Sequence, residues 1–523
     1  MKTAIVIAFG ALFGFSVSAG AQNDSARFVF DQDQVFTYKF SFYTPDWADS
    51  LEYYKGLPDE PYMPAKMLFY NEKGDTIRID SVGIRYKGNS SYQFAINSPK
   101  KPLKLRFDKY NSKTRFFGLK RLNFSNATMD PSFMREKISL DIARAYMPSP
   151  RTAYANIWLE DTQAGFYVQI EQVDKIFLRN YFQDDDGNLY KSSDDGAPLI
   201  YRGKDQSAYE TEYDLETNNN ANDWVPFITM IDKLNNTSAL EFISEAGRIL
   251  DLDNCIRHLA FTMVLSHFDS YTGTGRNFYF YDDPVSGKFS IIPWDLNLAF
   301  GGHSNNWNVI SMDIADISNL EQRPLNRRIL ENDSLKRVYY NYLLEMINGP
   351  ASFDSVSASA ARIKTLIEKH VKADPNKFYS DSAFTKNIEE DWQFRDGPVL
   401  TRIPGLKSFI QARSESIRSQ VAQYSHTLPG GRKSTHDNRI YAGINEQGIH
   451  IYHCVNNTDN ISIKLYSIQG RMVKSVRQQA GKGQGSNKFT IPGRSFSPGL
   501  YTIVIRTEQS SISVPLLVSK TGR

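Results

Sequence analysis

The chain has 523 residues, too many for one compact core, so two or three domains are expected. Its net charge of +3 is close to balance, which argues against a nucleic-acid-binding protein and against one that binds an acidic membrane surface. The two cysteines, Cys255 and Cys454, and eight histidines without paired spacing favour neither a disulfide framework nor a structural zinc site. Cys255 lies on an apolar helix face and is interpreted as a small buried hydrophobic residue.

Residues 1–21 have the pattern of a secretory signal peptide. Lys2 precedes a nearly continuous apolar run from Ala4 to Phe15, and Ala19-Gly20-Ala21 has the small residues of a cleavage site. Cleavage is therefore expected before Gln22. No later segment reaches the roughly 18 uninterrupted apolar residues that a membrane-spanning helix needs.

Strand patterns dominate residues 28 to 171. Apolar and polar residues alternate in 82–87 and again in 103–107, as they do in half-buried strands. Asp130-Pro131 is typical of a helix start, with the Asp as N-cap and the Pro at the first position. Two further strands, near 155–159 and 165–171, complete a predicted antiparallel sheet with one helix.

The chain after Glu171 is predicted to be mostly helical. Two short apolar runs, 277–281 and 289–293, predict a β-hairpin within it. The fold class is therefore α+β. Apolar residues recur at helical spacing in 224–234, 239–250, 252–267, 335–347, 357–371 and 405–424.

A polar linker, residues 426–438, separates this part from a C-terminal region of different composition. In residues 439–523 short alternating runs, such as 461–468 and 499–505, are separated by turns. This pattern predicts a small β-sandwich.

Three polar residues have the chemistry of a phosphoryl-transfer site. Asp269 follows a predicted helix and is the candidate catalytic base. Asn277 opens an aromatic strand and Asp295 ends an apolar one, and both offer the oxygen ligands that Mg²⁺ prefers. The order Asp, Asn, Asp, then Phe300-Gly301, runs parallel to the catalytic-loop and metal-loop signatures of protein kinases.

The sequence around these residues resembles the CotH family of atypical, spore-coat-type kinases. The resemblance covers roughly residues 28–425 and implies a bilobal, protein-kinase-like domain that binds ATP and Mg²⁺, or Mn²⁺ in its place. It is carried by GIRYKGNSS at 83–91, KPLKLRF at 101–107, GFYVQIEQVDK at 165–175, GNLYK at 187–191, SHFDSYTGTGRN at 266–277 and IPWDLNLAFG at 292–301.

The resemblance also implies how a nucleotide is held. Arg85, Lys87, Gly88, Asn89 and Ser90 would form the loop that cradles its phosphates. The strand after the loop would supply Lys104 to neutralise them.

Four further positions follow from the comparison with the family. Glu136, on the helix after Asp130, is expected to pair with Lys104. Glu171 has two open interpretations, a hinge whose backbone meets adenine or a salt bridge between the domains. Arg276 stands where many members have His and would contact a phosphate, and Asn297 stands where the family often has a second acid.

Residues 439–523 resemble the immunoglobulin-like C-terminal sorting domain of type IX secretion cargo. The resemblance rests on Leu465-Tyr466, Gly470-Arg471 and Pro498-Gly499-Leu500-Tyr501. It implies a Bacteroidetes-type bacterium, handling by the type IX machinery, and a secreted or outer-membrane surface location. An ordinary β-sandwich appendage is the alternative.

These patterns predict an exported, Mg²⁺-dependent kinase that transfers the ATP γ-phosphate to Ser or Thr hydroxyls of exported proteins or of itself. One alternative is a non-catalytic surface binding or structural protein on a kinase-like scaffold, since a fold does not dictate a function. Another is a hydrolase that uses a carboxylate pair, which would leave Lys104 and Gly88 unexplained.

Overall fold

The computed structural model describes residues 24–303, 308–315, 320–396 and 399–425, together with strand segments between 440 and 518. The predicted signal peptide, residues 1–21, and the predicted linker, residues 426–438, lie outside these described residues.

The first part of the chain forms a closed barrel of strands in the order β1-β2-β3-β4-β5-β7-β6. The barrel closes because β1 pairs with β6 in parallel, with Val35 opposite Tyr154. The antiparallel sheet predicted from the sequence is thus corrected to a closed barrel with one parallel pairing, since this pairing joins segments too distant for a local pattern to show. The strands are β1 (Val35–Phe42), β2 (Met63–Tyr70), β3 (Thr76–Tyr86), β4 (Leu103–Arg106), β5 (Arg121–Ser125), β6 (Thr152–Leu159) and β7 (Thr162–Glu171).

The barrel has an aromatic interior and a polar outer row that faces the rest of the protein. Phe36, Tyr38 and Phe69 are fully buried inside it, and the alternation along each strand sends the intervening side chains outward. One outward row crosses three strands, with Arg85 opposite Lys104 and Lys104 opposite Asn123. The helices that accompany the barrel are α1 (Trp47–Lys55), α2 (Ser90–Phe94) and α3 (Arg135–Arg144).

The start of α3 differs from the sequence prediction. Asp130 does not cap a helix that begins at Pro131, because residues 131–134 form turns in which Phe133 has a left-handed φ of 58°. The carboxylate of Asp130 instead accepts the backbone N–H of Arg135 at 2.8 Å, so the helix begins at Arg135.

The remainder of the domain contains a second sheet in the order β11-β10-β8-β9 and a large helical core. All six predicted helical segments are confirmed, and so is the predicted hairpin, which is β10–β11. The helix predicted for 252–267 ends at Val264, because Ser266 takes a left-handed φ of 43°. Cys255 is confirmed as a buried residue of this core, 1% exposed.

The elements of this remainder, including a short hairpin, are α4 (Lys175–Tyr181), β8 (Leu189–Ser192), β9 (Tyr213–Leu215), α5 (Val225–Asn236), α6 (Phe242–Ile249), α7 (Leu252–Val264), β10 (Phe278–Asp283), β11 (Lys288–Pro293), α8 (Pro324–Glu331), α9 (Asp333–Asn348), α10 (Phe353–Ala373), α11 (Asp381–Glu389), β12 (Trp392–Asp396), β13 (Val399–Ile403) and α12 (Leu406–Ser425).

The C-terminal region consists of strands in two sheets, in the orders β14-β15-β18 and β17-β16-β19-β20. Two of them, β16 and β19, were predicted from their alternating patterns. Among the described residues, no helix combines the length and the apolar character that crossing a membrane requires. The strands are β14 (Ile440–Asn445), β15 (Gly448–Val455), β16 (Asn460–Ser467), β17 (Met472–Gln479), β18 (Gly485–Pro492), β19 (Gly499–Arg506) and β20 (Ser511–Val518).

Candidate functional site

Asp269 and Asn277 are held against each other on the loop between α7 and β10. The Nδ2 of Asn277 donates to the main-chain oxygen of Asp269 at 2.8 Å and to its carboxylate at 3.0 Å. The other carboxylate oxygen of Asp269 accepts the Thr274 hydroxyl at 2.9 Å. Because both donations come from Nδ2, the Oδ1 of Asn277 stays available as a ligand, and each Asp269 oxygen keeps a further lone pair for a substrate hydroxyl.

Asp295 follows the last residues of β11 and stands in the left-handed region with a φ of 51°. Asn277 has the same unusual backbone conformation, with a φ of 60°. This conformation costs conformational free energy in residues other than glycine, and such strained residues cluster at functional sites. Burial raises the pKa of Asp295, the nearby Lys87 ammonium opposes this, and the charges of Asp269 and Asp194 raise it further. Three carboxylates therefore share one cleft.

Two further residues, Lys87 and Glu136, complete this cluster. Burial lowers the pKa of Lys87, and Asp295 and Glu136 are the carboxylates that oppose the fall. Its Nζ lies 5.4 Å from the centre of the Trp294 ring. Burial raises the pKa of Glu136, the charge of Asp295 adds to this effect, and Lys87 opposes it.

The pairing predicted between Lys104 and Glu136 is therefore wrong. Lys104 lies on β4 in the outward-facing row, opposite Arg85 and Asn123. The carboxylate near it is that of Glu216, just after β9. Burial lowers the pKa of Lys104 to about 7, and Glu216 opposes the fall. The physical reason is the position of each lysine along its strand, because Lys87 lies beyond the end of β3 and shares the cleft with Glu136, whereas Lys104 lies within β4 near Glu216.

The glycine loop joins β3 to α2 and lies over the cleft. The N–H of Lys87 donates to the Pro102 carbonyl at 3.0 Å, which ties the start of the loop to the next strand. Gly88 has a φ of 76°, and a Cβ there would lie 2.5 Å from the Ser91 hydroxyl, so glycine is required. Asn89 donates from Nδ2 to the carboxylate of Asp194, on the loop after β8, and thereby links the two walls of the cleft.

Three other predicted residues are placed as follows. Arg85 donates to the carboxylate of Glu60 at 2.6 Å and to its carbonyl at 2.9 Å, so its guanidinium is engaged on the barrel. Ser90 is the first residue of α2 and is exposed. Arg276 is exposed beside Asn277.

Glu171 forms a salt bridge, although not the bridge between domains that its second interpretation predicted. Its carboxylate accepts from Nε of Arg151 at 3.0 Å and from Nη2 at 2.5 Å, and only 1% of its surface is exposed. Its backbone N–H donates to the Arg151 carbonyl at 2.9 Å. Arg151 immediately precedes β6, so this bridge joins two barrel strands rather than two domains.

The site also contains residues that sequence reasoning missed. Asp194 and Lys191 flank Asp295, from the loop after β8 and from β8 itself. Glu216 flanks Lys104. The sequence signal for them was weak, since an Asp in a polar turn and a Lys on a strand are usual surface features. Only the pairing of β8 with β10 brings them to the cleft.

The donor set fits a hard divalent cation. The Oδ1 of Asn277 and the carboxylate of Asp295 are oxygen ligands, and the mutual repulsion of Asp269, Asp295 and Asp194 would be relieved by a cation among them. Lys87, with Glu136 behind it, is a cation placed beside the same carboxylates. The arrangement can therefore orient a hydroxyl at Asp269 and neutralise a polyphosphate at Lys87.

Comparison with known proteins found matches to two family models and to a curated relative. A family model described as CotH kinase protein matches residues 84–417. Inner spore coat protein H of Bacillus subtilis (strain 168) is 26% identical over 339 residues, which cover 63% of this chain and 86% of the relative. A model described as a secretion system C-terminal sorting domain matches residues 447–519. This domain indicates export through a type IX secretion system, to the cell surface or beyond it. Because the first match spans well over half of the 523 residues, the protein belongs to the CotH kinase protein family.

Proposed function

We propose that the protein is an exported protein kinase that transfers the γ-phosphate of ATP to a Ser or Thr hydroxyl of another exported protein or of itself. The observation that carries the proposal is the cluster of Asp269, Asn277 and Asp295 opposite Lys87 and Glu136. Phosphoryl transfer requires little covalent chemistry from a protein, and depends on positioning and on charge neutralisation.

Each residue has a distinct role in this proposal. Asp269 accepts the hydrogen bond of the acceptor hydroxyl, and Asn277 keeps the carboxylate in place through Nδ2. Lys87 neutralises the phosphates, and Glu136 orients Lys87. Asn277 and Asp295 would hold Mg²⁺, which supplies charge stabilisation at the phosphate oxygens when it is bound.

The proposed transfer forms one bond to phosphorus and breaks another. A bond forms between the acceptor oxygen and the γ-phosphorus, while the bond from that phosphorus to the β–γ bridging oxygen breaks. The electron pair of the broken bond leaves with ADP, and the hydroxyl proton passes to the carboxylate of Asp269. The loop at Gly88 would cover the phosphates with its backbone N–H groups.

Lys104 and Arg85 have secondary roles in this arrangement. Lys104 adds positive charge to the inner part of the cleft, since it lies near Lys87. Arg85 stays paired with Glu60 and would act on the phosphates only through its charge. Arg276, exposed beside Asn277, would meet the phosphates or the acceptor from the solvent side.

A non-catalytic surface protein remains the second candidate, and one sequence position favours it. Asn297 stands where the family often has a second acid, so the metal site has one carboxylate fewer at that position. The relative from Bacillus subtilis carries the name of a spore coat protein. Asp194, which lies near Asp295, offers a carboxylate from another element.

The test is transfer of label from γ-labelled ATP, with Mg²⁺ or Mn²⁺, by the purified protein and its Asp269→Ala and Asp295→Ala variants. The kinase proposal predicts metal-dependent labelling that both variants lose while their melting temperatures stay near that of the wild type. No labelling, together with no nucleotide-induced rise in Tm, would establish the non-catalytic alternative instead.

A further inference from the structure

The helix that carries Glu136 is attached, at its first residue, to a distant part of the chain. Arg135 is fully buried, and its Nη2 donates to the Oδ1 of Asn387 at 2.8 Å across a separation of 252 residues. The same nitrogen donates to the carbonyl of Pro404. On its other side, Nε of Arg135 lies 3.5 Å from the carboxylate of Asp130, which also accepts the backbone N–H of Arg135.

Asn387 belongs to a segment that returns to the barrel, which we call the strap, residues 370–394. Asn387 is 0% exposed, and its Nδ2 donates to the carbonyls of Ile403 and Pro404 at 3.0 and 3.2 Å. Its amide is therefore fixed on both sides, which turns Oδ1 towards Arg135. A rotation of Asn387 would cost three hydrogen bonds at a site without water-exposed surface.

The strap has a second, independent anchor on the barrel. The Nδ2 of Asn376 donates to the carbonyls of Gln163 and Ala164, at 3.0 and 3.2 Å, near the start of β7. This anchor does not involve α3. The two asparagines thus attach the same segment to two different elements, Asn376 to a barrel strand and Asn387 to α3.

The contact at Arg135 bears directly on the cleft, because Glu136 is the next residue. Glu136 is 3% exposed, and its Oε2 has no hydrogen-bond partner among the described residues. A side-chain hydrogen bond with Ser125 holds this carboxylate from the barrel, and its position also depends on the first turn of α3. A buried guanidinium is costly, and its retention at this position is explained if it holds that turn.

We propose that Arg135 is a positioning residue for nucleotide binding. Through Asn387 and Pro404 it fixes the first turn of α3 and so keeps the Glu136 carboxylate in the cleft that it shares with Lys87 and Asp295. The arrangement that binds phosphates is then held by the strap and needs neither a partner protein nor a modification to form. This inference rests on the proposed kinase function and adds a regulatory property to it.

The experiment compares two matched asparagine variants, Asn387→Leu and Asn376→Leu, and the conservative variant Arg135→Lys. Each asparagine variant removes one amide of the strap, but only Asn387→Leu removes an acceptor of Arg135 and the amide that bonds the Pro404 carbonyl beside it. Lysine at 135 keeps the charge beside Asp130 and loses the fork that reaches Asn387 and Pro404. The measurements are KM for MgATP, kcat, Tm, and amide hydrogen exchange of residues 135–144.

The expected result is a rise of about tenfold or more in KM for MgATP in Asn387→Leu and Arg135→Lys, with faster exchange in α3. In Asn376→Leu, KM and α3 exchange should match the wild type even where Tm falls. The inference is overturned if all three variants lose nucleotide affinity in proportion to their loss of Tm, or if Arg135→Lys leaves KM unchanged.

Failure of the kinase proposal is separable from failure of this inference. If the wild-type protein neither binds nor turns over MgATP, the proposed function fails, and so does the role of Arg135 in nucleotide binding. The hydrogen-exchange data then still test whether the strap holds α3 in place. Faster exchange of α3 in Asn387→Leu but not in Asn376→Leu supports the strap as the element that holds this helix, and equal exchange in both contradicts it.

Discussion

The side-chain amide of Asn277 donates twice to Asp269, at 2.8 Å to its main-chain oxygen and at 3.0 Å to its carboxylate. One amide therefore orients the candidate base and, through its remaining oxygen, faces the candidate metal position. Neither alanine nor aspartate can do both, since alanine has no polar atom and aspartate has no donor.

Asn277→Asp is expected to abolish both donations and to place a second carboxylate against Asp269. The repulsion should displace the base, so we expect kcat to fall by about a hundredfold or more. The measurement is initial rate of label transfer at saturating MgATP. A variant that keeps more than half of the wild-type kcat would contradict the role given to the amide.

Lys87→Met and Lys104→Met are expected to differ. Lys87 lies beside Asp295 and Glu136, so its loss should reduce kcat/KM by at least about a hundredfold. Lys104 lies on β4 near Glu216, and its loss should reduce kcat/KM by about tenfold. If kcat/KM falls equally in both variants, or falls further in Lys104→Met, then Lys87 is not the main lysine that neutralises the phosphates.

Burial lowers the pKa of Lys104 to about 7, so we expect nucleotide affinity to depend on pH. Bound phosphates favour the protonated ammonium and so raise this pKa in the complex. Protons are therefore taken up on binding above pH 7, and affinity should weaken as the pH rises from 7 to 9. Calorimetry in two buffers of different ionisation enthalpy measures the uptake. Lys104→Met should remove this component, and an identical pH profile in that variant would rule it out.

Breaking the buried pair of Lys100 and Asp374 on one side only is expected to destabilise the protein strongly. The Nζ of Lys100 lies 2.7 Å from the carboxylate, and both side chains are 0% exposed. Asp374→Asn leaves the ammonium without its counter-charge and should cost about 3–5 kcal/mol, whereas Lys100→Met with Asp374→Leu should recover most of this loss. The free energy of unfolding from urea titrations tests both expectations. A double variant less stable than Asp374→Asn would refute them.

The same pair predicts a pH effect on stability with a definite sign. Burial lowers the pKa of Lys100 from 10.5 to about 8. Between these values the unfolded chain binds more protons than the folded protein, so this group's contribution to stability rises as the pH increases from 8 to 10.5. Comparison of Tm between the wild type and Lys100→Met across this range should show the rise only in the wild type.

Much of the helical region could be predicted from the sequence, because helices are local structures with a local signature. The apolar spacing in 225–236 and 333–348 reports a helix face directly. The α1 and α11 helices were missed, since each is short and only Leu51 is buried in α1. Barrel closure was missed for a different reason, because the pairing of β1 with β6 joins segments more than a hundred residues apart.

The residues of the candidate site could also be predicted only in part from the sequence. Asp269, Asn277 and Asp295 stand out in the sequence, since polar residues at the ends of apolar segments are unusual there. The partner of Glu136 was predicted wrongly as Lys104, because residue spacing does not show which of two lysines on neighbouring strands reaches a helix. Strand register decides this, and register is a property of the assembled barrel.

The sequence by itself determined the chemical types at the site, the C-terminal sorting domain and the family, since these depend on which residues occur and in what order. Only the tertiary structure decided that Lys87 and Glu136 share one cleft, that Asp194 joins Asp295 there, and that Arg135 is held by Asn387. These contacts join residues from 49 to 252 positions apart by number, as Arg135 to Asn387 shows at the upper end. Their geometry is set by packing and burial across the whole domain, which no local pattern contains.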